Sequence, residues 1–188
     1  MRSKNLNDPA TIESRSGTHQ VPVLHTPENW MIGDTTPIMH LLDERYPSRR
    51  MFPVGSAGVL VQALEEYFDE WVARTMVHYR WHYPESAEFA SLKMAEGNSE
   101  VAERVRSWGP RVCRATGTDS EVQRQAAEDE YRRIIEAAEH QLTNTRYLLG
   151  DRPTAVDCIV LGGLRAHTLM DPDPDPKRVY TDYAEVVA

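Results

Sequence analysis

Asp34 and Thr35 follow Gly33 and precede apolar residues at Ile38, Leu41 and Leu42. Steps of three and four make the apolar face of a helix. Asp34 therefore stands at the N-cap and Thr35 in the first turn. The first N–H groups of a helix lack partners within it, and their dipoles leave a partial positive charge. A carboxylate ligand suits such a place. Plain capping also accounts for an Asp here, and the two roles stay open together.

Four other groups can carry chemistry. His78 and His82 stand at i and i+4, a spacing that can bind zinc, but no third ligand follows in a recognisable pattern. No metal is expected, and the pair reads as a helix face lining a cleft, with Arg74, Tyr79, Arg80 and Trp81 nearby. Trp71 reads as core, while Tyr79 stays open between core and cleft wall. Cys113 lies between Arg111 and Arg114 and reads as the more exposed thiol, its pKa lowered by two cations. No His or acid at useful spacing supports it as a nucleophile. Cys158, among apolar neighbours, reads as buried and inert. Glu65, Glu66, Asp69 and Glu70 form a charge run that reads as a solvated helix face.

The elements that must position these residues follow from the pattern. Val21, Val23 and Leu24 suit a half-buried strand. Thr26 to Asn29 has turn composition, with Pro27 fixing φ, and Trp30 to Ile32 form a short return strand. The helix after Asp34 ends at Tyr46, before Pro47. Residues 1–19 are polar and read as loop, residues 20–47 as the strand-turn-strand-helix unit, and residues 48–57 as a linker. Residues 58–188 read as helical. Leu60, Leu64, Tyr67, Phe68, Trp71, Val72 and Thr75 recur at helical steps, and the helix stops before Pro84. Shorter helices are expected at about residues 85–95, 100–108 and 111–115. A long one runs over about 120–142, capped by Asp119 or Ser120, with Val122, Ala126, Tyr131, Ile134, Ile135 and Ala138 as its stripe. Thr154 and Asp157 form a reciprocal capping box for an apolar helix containing Cys158, Ile159, Leu161, Gly162 and Leu164. Residues 171–176, DPDPDP, cannot be helical, and residues 179–188 are left unassigned.

Two motifs in this order resemble the glutathione transferase family. The first is Val21 and Pro22, then Asp34, Thr35 and Ile38, then LDERYP at residues 42–47 and Phe52 with Pro53. The second is YLLGDRPTAVD at residues 147–157. The resemblance implies a partial thioredoxin-like α/β unit, two strands plus a helix, followed by an all-helical C-terminal domain: a mainly α chain. It implies that the chain begins in mid-domain, without the strand, helix and strand that precede the Val-Pro element in relatives. It also implies a cis bond at Pro22, where the residues themselves admit either isomer. Glutathione is then the co-substrate. Val21 and Pro22 would hold its cysteinyl part through the Val21 backbone, Thr35 its γ-glutamyl carboxylate, and Asp34 its γ-glutamyl ammonium. Relatives more often have Ser where Thr35 stands. His19 and Gln20 lie where polar residues of relatives approach the peptide, although both also suit a solvated strand start.

The implied reaction is conjugation of the glutathione thiol to, or reduction of, a hydrophobic electrophile. No Tyr, Ser or Cys lies in a strand-to-helix turn ahead of Val21, so the thiol-activating residue is unassigned. A non-catalytic helical binding or dimerisation module, or a truncated product without activity, is the alternative. Two strands alone leave an exposed edge and a half-covered apolar face, so a marginal N-terminal part beside a stable helical part is expected. Relatives commonly dimerise, and a homodimer would shield that edge.

Composition narrows the classes. The 188 residues carry a net charge of −8, and no basic run exceeds a pair, which argues against nucleic acid and anionic membrane surfaces as partners. No apolar run has transmembrane length. Two cysteines make neither a disulfide framework nor a metal site, and a reducing cytoplasmic setting is expected.

Overall fold

A computed structural model describes residues 8–18, 21–164 and 171–172, without the Leu164 side chain. His19, Gln20, residues 173–176 and residues 179–188 lie outside the described residues. The chain divides into two compact units, Met1–Val54 and Gly55–Ala188.

The first unit opens with a helix, α1 (Pro9–Ser16), where a loop is expected. The reason is in its ends. Asp8 caps the N–H groups of Ala10 and Thr11, Pro9 sits at the first helical position, and Gly17 closes the helix in the left-handed region. This is the Pro-first, Gly-last asymmetry of helices, and it needs no apolar stripe. Strands β1 (Val23–His25) and β2 (Met31–Gly33) pair antiparallel, with Val23 opposite Gly33 and His25 opposite Met31. The turn between them is closed by Thr26 N–H donating to Trp30 O, with Asn29 at a φ of 69°. α1 packs beside β2, where Arg15 donates to the carbonyl and side chain of Asn29. A Cβ on Gly33 would lie 2.5 Å from Thr18 Cγ2, so the segment after α1 sits directly on the last residue of β2.

Helix α2 (Thr35–Arg45) follows Asp34 and ends at Tyr46. Its one buried residue is an acid, Asp43. That carboxylate accepts the N–H groups of Met51 (2.8 and 3.0 Å) and Phe52 (2.7 Å) and so ties the chain beyond Pro47 back to the helix. Leu42, expected on the apolar face, is exposed.

The second unit is helical among its described residues. Helix α3 (Ser56–Glu66) passes through a wide π-type turn at Tyr67–Val72 into α4 (Ala73–His82). Tyr83 is extended, as a residue before proline prefers, and Pro84 opens α5 (Pro84–Met94). Then come α6 (Ser99–Arg106), α7 (Gly109–Ala115), α8 (Glu121–Leu142) and α9 (Ala155–Leu164). Ser120 caps α8 in a complete capping box with Gln123. α4 is central, packing on α5, α7, α8 and α9. The core contains Val61, Val72, Met76, Tyr79, Tyr131, Ile135, Val156 and Val160.

The buried face differs from the expected stripe from Leu60 onward, and the wide turn rotates its later part. An extra residue in one turn shifts every later side chain around the helix axis. Val61, Glu65, Val72 and Thr75 face inward, whereas Leu60 (53 %), Tyr67 (36 %) and Trp71 (52 %) are exposed. Trp71 is therefore not core, and Tyr79 is. Glu65 is not on a solvated face: it is fully buried, with Gln62 Nε2 donating to it at 3.3 Å. On α8 the buried positions are Ala127, Glu130, Tyr131, Ile135 and Ala138, and both Val122 and Ala126 are exposed.

Candidate functional site

The candidate site residues Val21, Pro22, Asp34 and Thr35 meet at the open end of the hairpin. Asp34 N–H donates to Pro22 O at 3.2 Å, which extends the β1–β2 ladder by one rung. The Val21–Pro22 peptide bond is cis. Val21 is 60 % exposed, so its backbone is approachable at the unpaired end of the strand.

Asp34 adopts φ 78° and ψ 145°, a region that side chains other than glycine rarely enter. Strained backbone of this sort concentrates at ligand sites because the surroundings must hold it in place. Here the rung to Pro22 O holds one side and α2 the other. The conformation turns the Asp34 carboxylate back over the helix start, where Oδ1 accepts the Thr35 N–H at 2.6 Å. An anionic ligand at this helix start would compete with Asp34 for that N–H. A ligand carrying both an ammonium and a carboxylate would not: Asp34 could turn to the ammonium and release the Thr35 N–H to the carboxylate. The sequence signal for this geometry is the Gly33–Asp34 junction, where a strand must turn straight into a helix.

Two serine hydroxyls ahead of Val21 are tied to the α1 backbone. Ser14 Oγ donates to Thr11 O at 3.0 Å and Ser16 Oγ to Ile12 O at 2.7 Å. No strand precedes β1 among the described residues.

In the helical unit, side chains of α8 and of the segment from Tyr67 to Tyr83 make two part-buried polar networks. Glu130 on α8 accepts from Tyr67 Oη and Trp71 Nε1, each at 3.0 Å, and pairs with Arg74. The Arg74 guanidinium lies 4.2 Å from the Trp71 ring centroid. Burial works to raise the Glu130 pKa, but donation from Arg74, Tyr67 and Trp71 outweighs it and holds the carboxyl below its usual range. His78 on α4 lies 2.8 Å from Glu128 on α8, and its ring stacks on that of His82. Among the described residues no three His, Cys, Asp or Glu side chains cluster as a metal site.

The two thiols are placed opposite to expectation. Cys113 is buried and Cys158 exposed. α7 turns Cys113 inward, away from the solvent its arginine neighbours reach, and burial pushes its pKa up. Cys158 falls on the outer side of α9, while Ala155, Val156 and Val160 face inward. At the start of α9, Asp157 Oδ2 accepts the Thr154 N–H at 2.7 Å, as expected of a capping box. The Thr154 hydroxyl does not accept in return: it donates to the same carboxylate at 3.0 Å.

Residues 89–187, just over half of the chain, match the family described as glutathione S-transferase, C-terminal domain. The chain belongs to the glutathione S-transferase family. No curated protein matches the sequence. Among solved structures, a glutathione S-transferase from Rhodospirillum rubrum F11 is similar at 18 % identity, with a TM-score of 0.61. The match covers 98 % of this chain and 72 % of that one. At that identity the likeness speaks for the fold, which is mainly helical with a short two-stranded sheet in the first unit. No helix among the described residues is long and apolar enough to cross a membrane.

Proposed function

We propose that the chain binds glutathione at the open end of its hairpin and presents the thiol to a hydrophobic electrophile, for conjugation or reduction. The observation that carries this reading is Asp34: a non-glycine residue held at positive φ, at a helix N-terminus, one rung from the exposed Val21 backbone. The Val21 N–H and C=O can pair with the cysteinyl part of the peptide as an added strand would. Thr35 takes the γ-glutamyl carboxylate at the positive end of α2, and Asp34 takes the ammonium. Pro22 fixes the backbone on which Val21 is displayed. Family membership supports glutathione as the ligand. The net charge of −8 argues against nucleic acid as a partner, and a cytoplasmic setting fits the two unpaired cysteines.

Calorimetric titration of glutathione into the full chain tests the reading. Saturable binding at about millimolar Kd or tighter, about −4 kcal/mol or more, weakened at least tenfold by Asp34→Ala, is the expected result. A folded protein that gives no heat overturns it, and the chain is then a non-catalytic helical module.

The exposed stripe of Leu60, Tyr67 and Trp71 favours self-association as a second element of the reading. Aromatic residues on one helix face suit the core of an interface, and the occupant proposed is a second copy of this chain. Sedimentation should report a dimer that Leu60→Glu converts to monomer; a wild-type monomer at high concentration rules it out.

A further inference from the structure

His78 is fully buried, at 0 % exposure. One ring nitrogen, Nε2, lies 2.8 Å from Glu128 Oε1. The other, Nδ1, is buried with no hydrogen-bond partner among the described residues. The same Glu128 oxygen accepts the Tyr83 hydroxyl at 2.7 Å. The rings of Tyr79, Tyr83 and His82 enclose the imidazole, with centroids 5.2, 5.5 and 5.1 Å away.

A neutral imidazole fits this setting. Nε2–H donates to the carboxylate, and Nδ1 hides only a lone pair. An imidazolium has two N–H groups to place, and the second would be buried without an acceptor, which is costly. The surrounding charges do not relieve it. From α8 come the cations Arg124, which acts on both histidines, and Arg132, 3.6 Å from the other Glu128 oxygen. From α4 itself comes His82, a second ionisable ring stacked on the first. The Cys113 thiol of α7 is kept protonated by burial. Arg80 is occupied with Asp171 at 2.5 Å.

We propose that the His78–Glu128 contact is a pH-sensitive joint between α4 and α8, closed while His78 is neutral and opened when the ring takes a proton. It is independent of glutathione binding. Burial pushes the His78 pKa down and outweighs the pull of Glu128. His82 is shifted the same way by burial and by His78. For Glu128, burial acts to raise the pKa, but bonds from Tyr83 and His78 prevail and lower it, so the carboxylate stays charged through the range in which histidine titrates. An unfolded histidine binds a proton near pH 6.5. Below that pH the unfolded chain holds a proton that the folded chain lacks, so stability falls until the folded pKa is reached.

Urea unfolding of the full chain between pH 8 and pH 5 tests the joint, with His78→Gln and His82→Gln beside the wild type. The wild-type unfolding constant should rise by up to about tenfold per pH unit below pH 6.5 for each such proton. His78→Gln should flatten that slope and His82→Gln should keep most of it. Nitrogen NMR of the folded wild type gives a reading that needs no variant: His78 should remain neutral, protonated on Nε2, at about pH 6.5, where a histidine of an unfolded chain is half charged. Hydrogen exchange, corrected for intrinsic rates, should show protection lost in α4 and the middle of α8 between pH 7.5 and 5.5. A His78 ring that charges at the ordinary pH with protection intact overturns the proposal, as does an acid slope no smaller in His78→Gln than in His82→Gln.

Discussion

Asp157 on α9 reaches back nine residues to Leu148, whose N–H its Oδ1 accepts at 2.8 Å, while its Oδ2 accepts the N–H of Thr154. One carboxylate therefore caps a helix and also fixes the loop that delivers the chain to it. That loop carries its own small closure, with Tyr147 and Gly150 bonded to each other through both backbone groups.

Asp157→Ala removes a charged acceptor from two backbone donors and one hydroxyl. Hydrogen bonds to charged groups contribute about 1.5–3 kcal/mol each, and helix caps about 0.5–2. Bonds that share one carboxylate are not additive, so the expected loss is about 3 kcal/mol. Asp157→Asn keeps one acceptor oxygen and should lose roughly half as much. Urea denaturation at neutral pH measures both. A loss for Asp157→Ala within that of an ordinary surface substitution, about 0.5 kcal/mol, would sink the account.

Asp157 also shows what the sequence made legible. Its partnership with Thr154 is local, three residues apart, and spacing finds it. Its partnership with Leu148 is set by how a loop folds back, and no period encodes that. The same line divides the rest of the chain. Helix ends marked by Pro47, Pro84, Gly97 and Ser120 lie close to where composition puts them. α1 was legible in the Asp8–Pro9 and Gly17 pair, and polarity concealed it. The buried carboxylates were not legible: Asp43 and Glu130 look like solvent charges until donors arrive from beyond their own helices, and Glu65 looks like one although it is fully buried. For Glu130 those donors are on the element from Tyr67 to Arg74, about sixty residues earlier, and a wide turn that no residue type announces brings them into line. In the candidate site, the capping position of Asp34 was legible and its positive φ was not, because that follows from β2 and α2 sharing a single joint.

The Glu130 network predicts an acid limb to stability distinct from that of His78. Its folded pKa is lowered, so its contribution is present above the unfolded value of about 4.5 and is lost as pH falls through the folded value. Glu130→Gln leaves the Arg74 cation largely buried beside a neutral amide. Breaking a buried pair from one side costs about 3–5 kcal/mol. Arg74 retains some solvent contact and the Trp71 face, so about 2–3 is expected at pH 7. The gap between wild type and variant should narrow below pH 4.5, because there the unfolded wild-type chain takes up a proton that the folded carboxylate accepts only below its own, lower pKa. A gap that stays constant down to pH 3 would show that shape, not charge, holds α8 to this part of the chain.

The thiols give a direct chemical check on how α7 and α9 are turned. Cys158 is exposed, and burial, followed by the neighbouring Asp157, raises its pKa. Cys113 is buried, and its pKa is raised chiefly by burial. The thiolate is the reactive form, so neither should be labelled quickly at pH 7. As the pH is raised towards 9, an aromatic disulfide reagent should modify one thiol of the folded chain, and Cys158→Ser should abolish that reaction. Cys113 should react only when denaturant opens the fold, at a rate that follows the population of the open form. Labelling of Cys113 first in the native protein would place α7 the other way round, with the thiol beside Arg111 and Arg114 at the surface and its pKa lowered rather than raised.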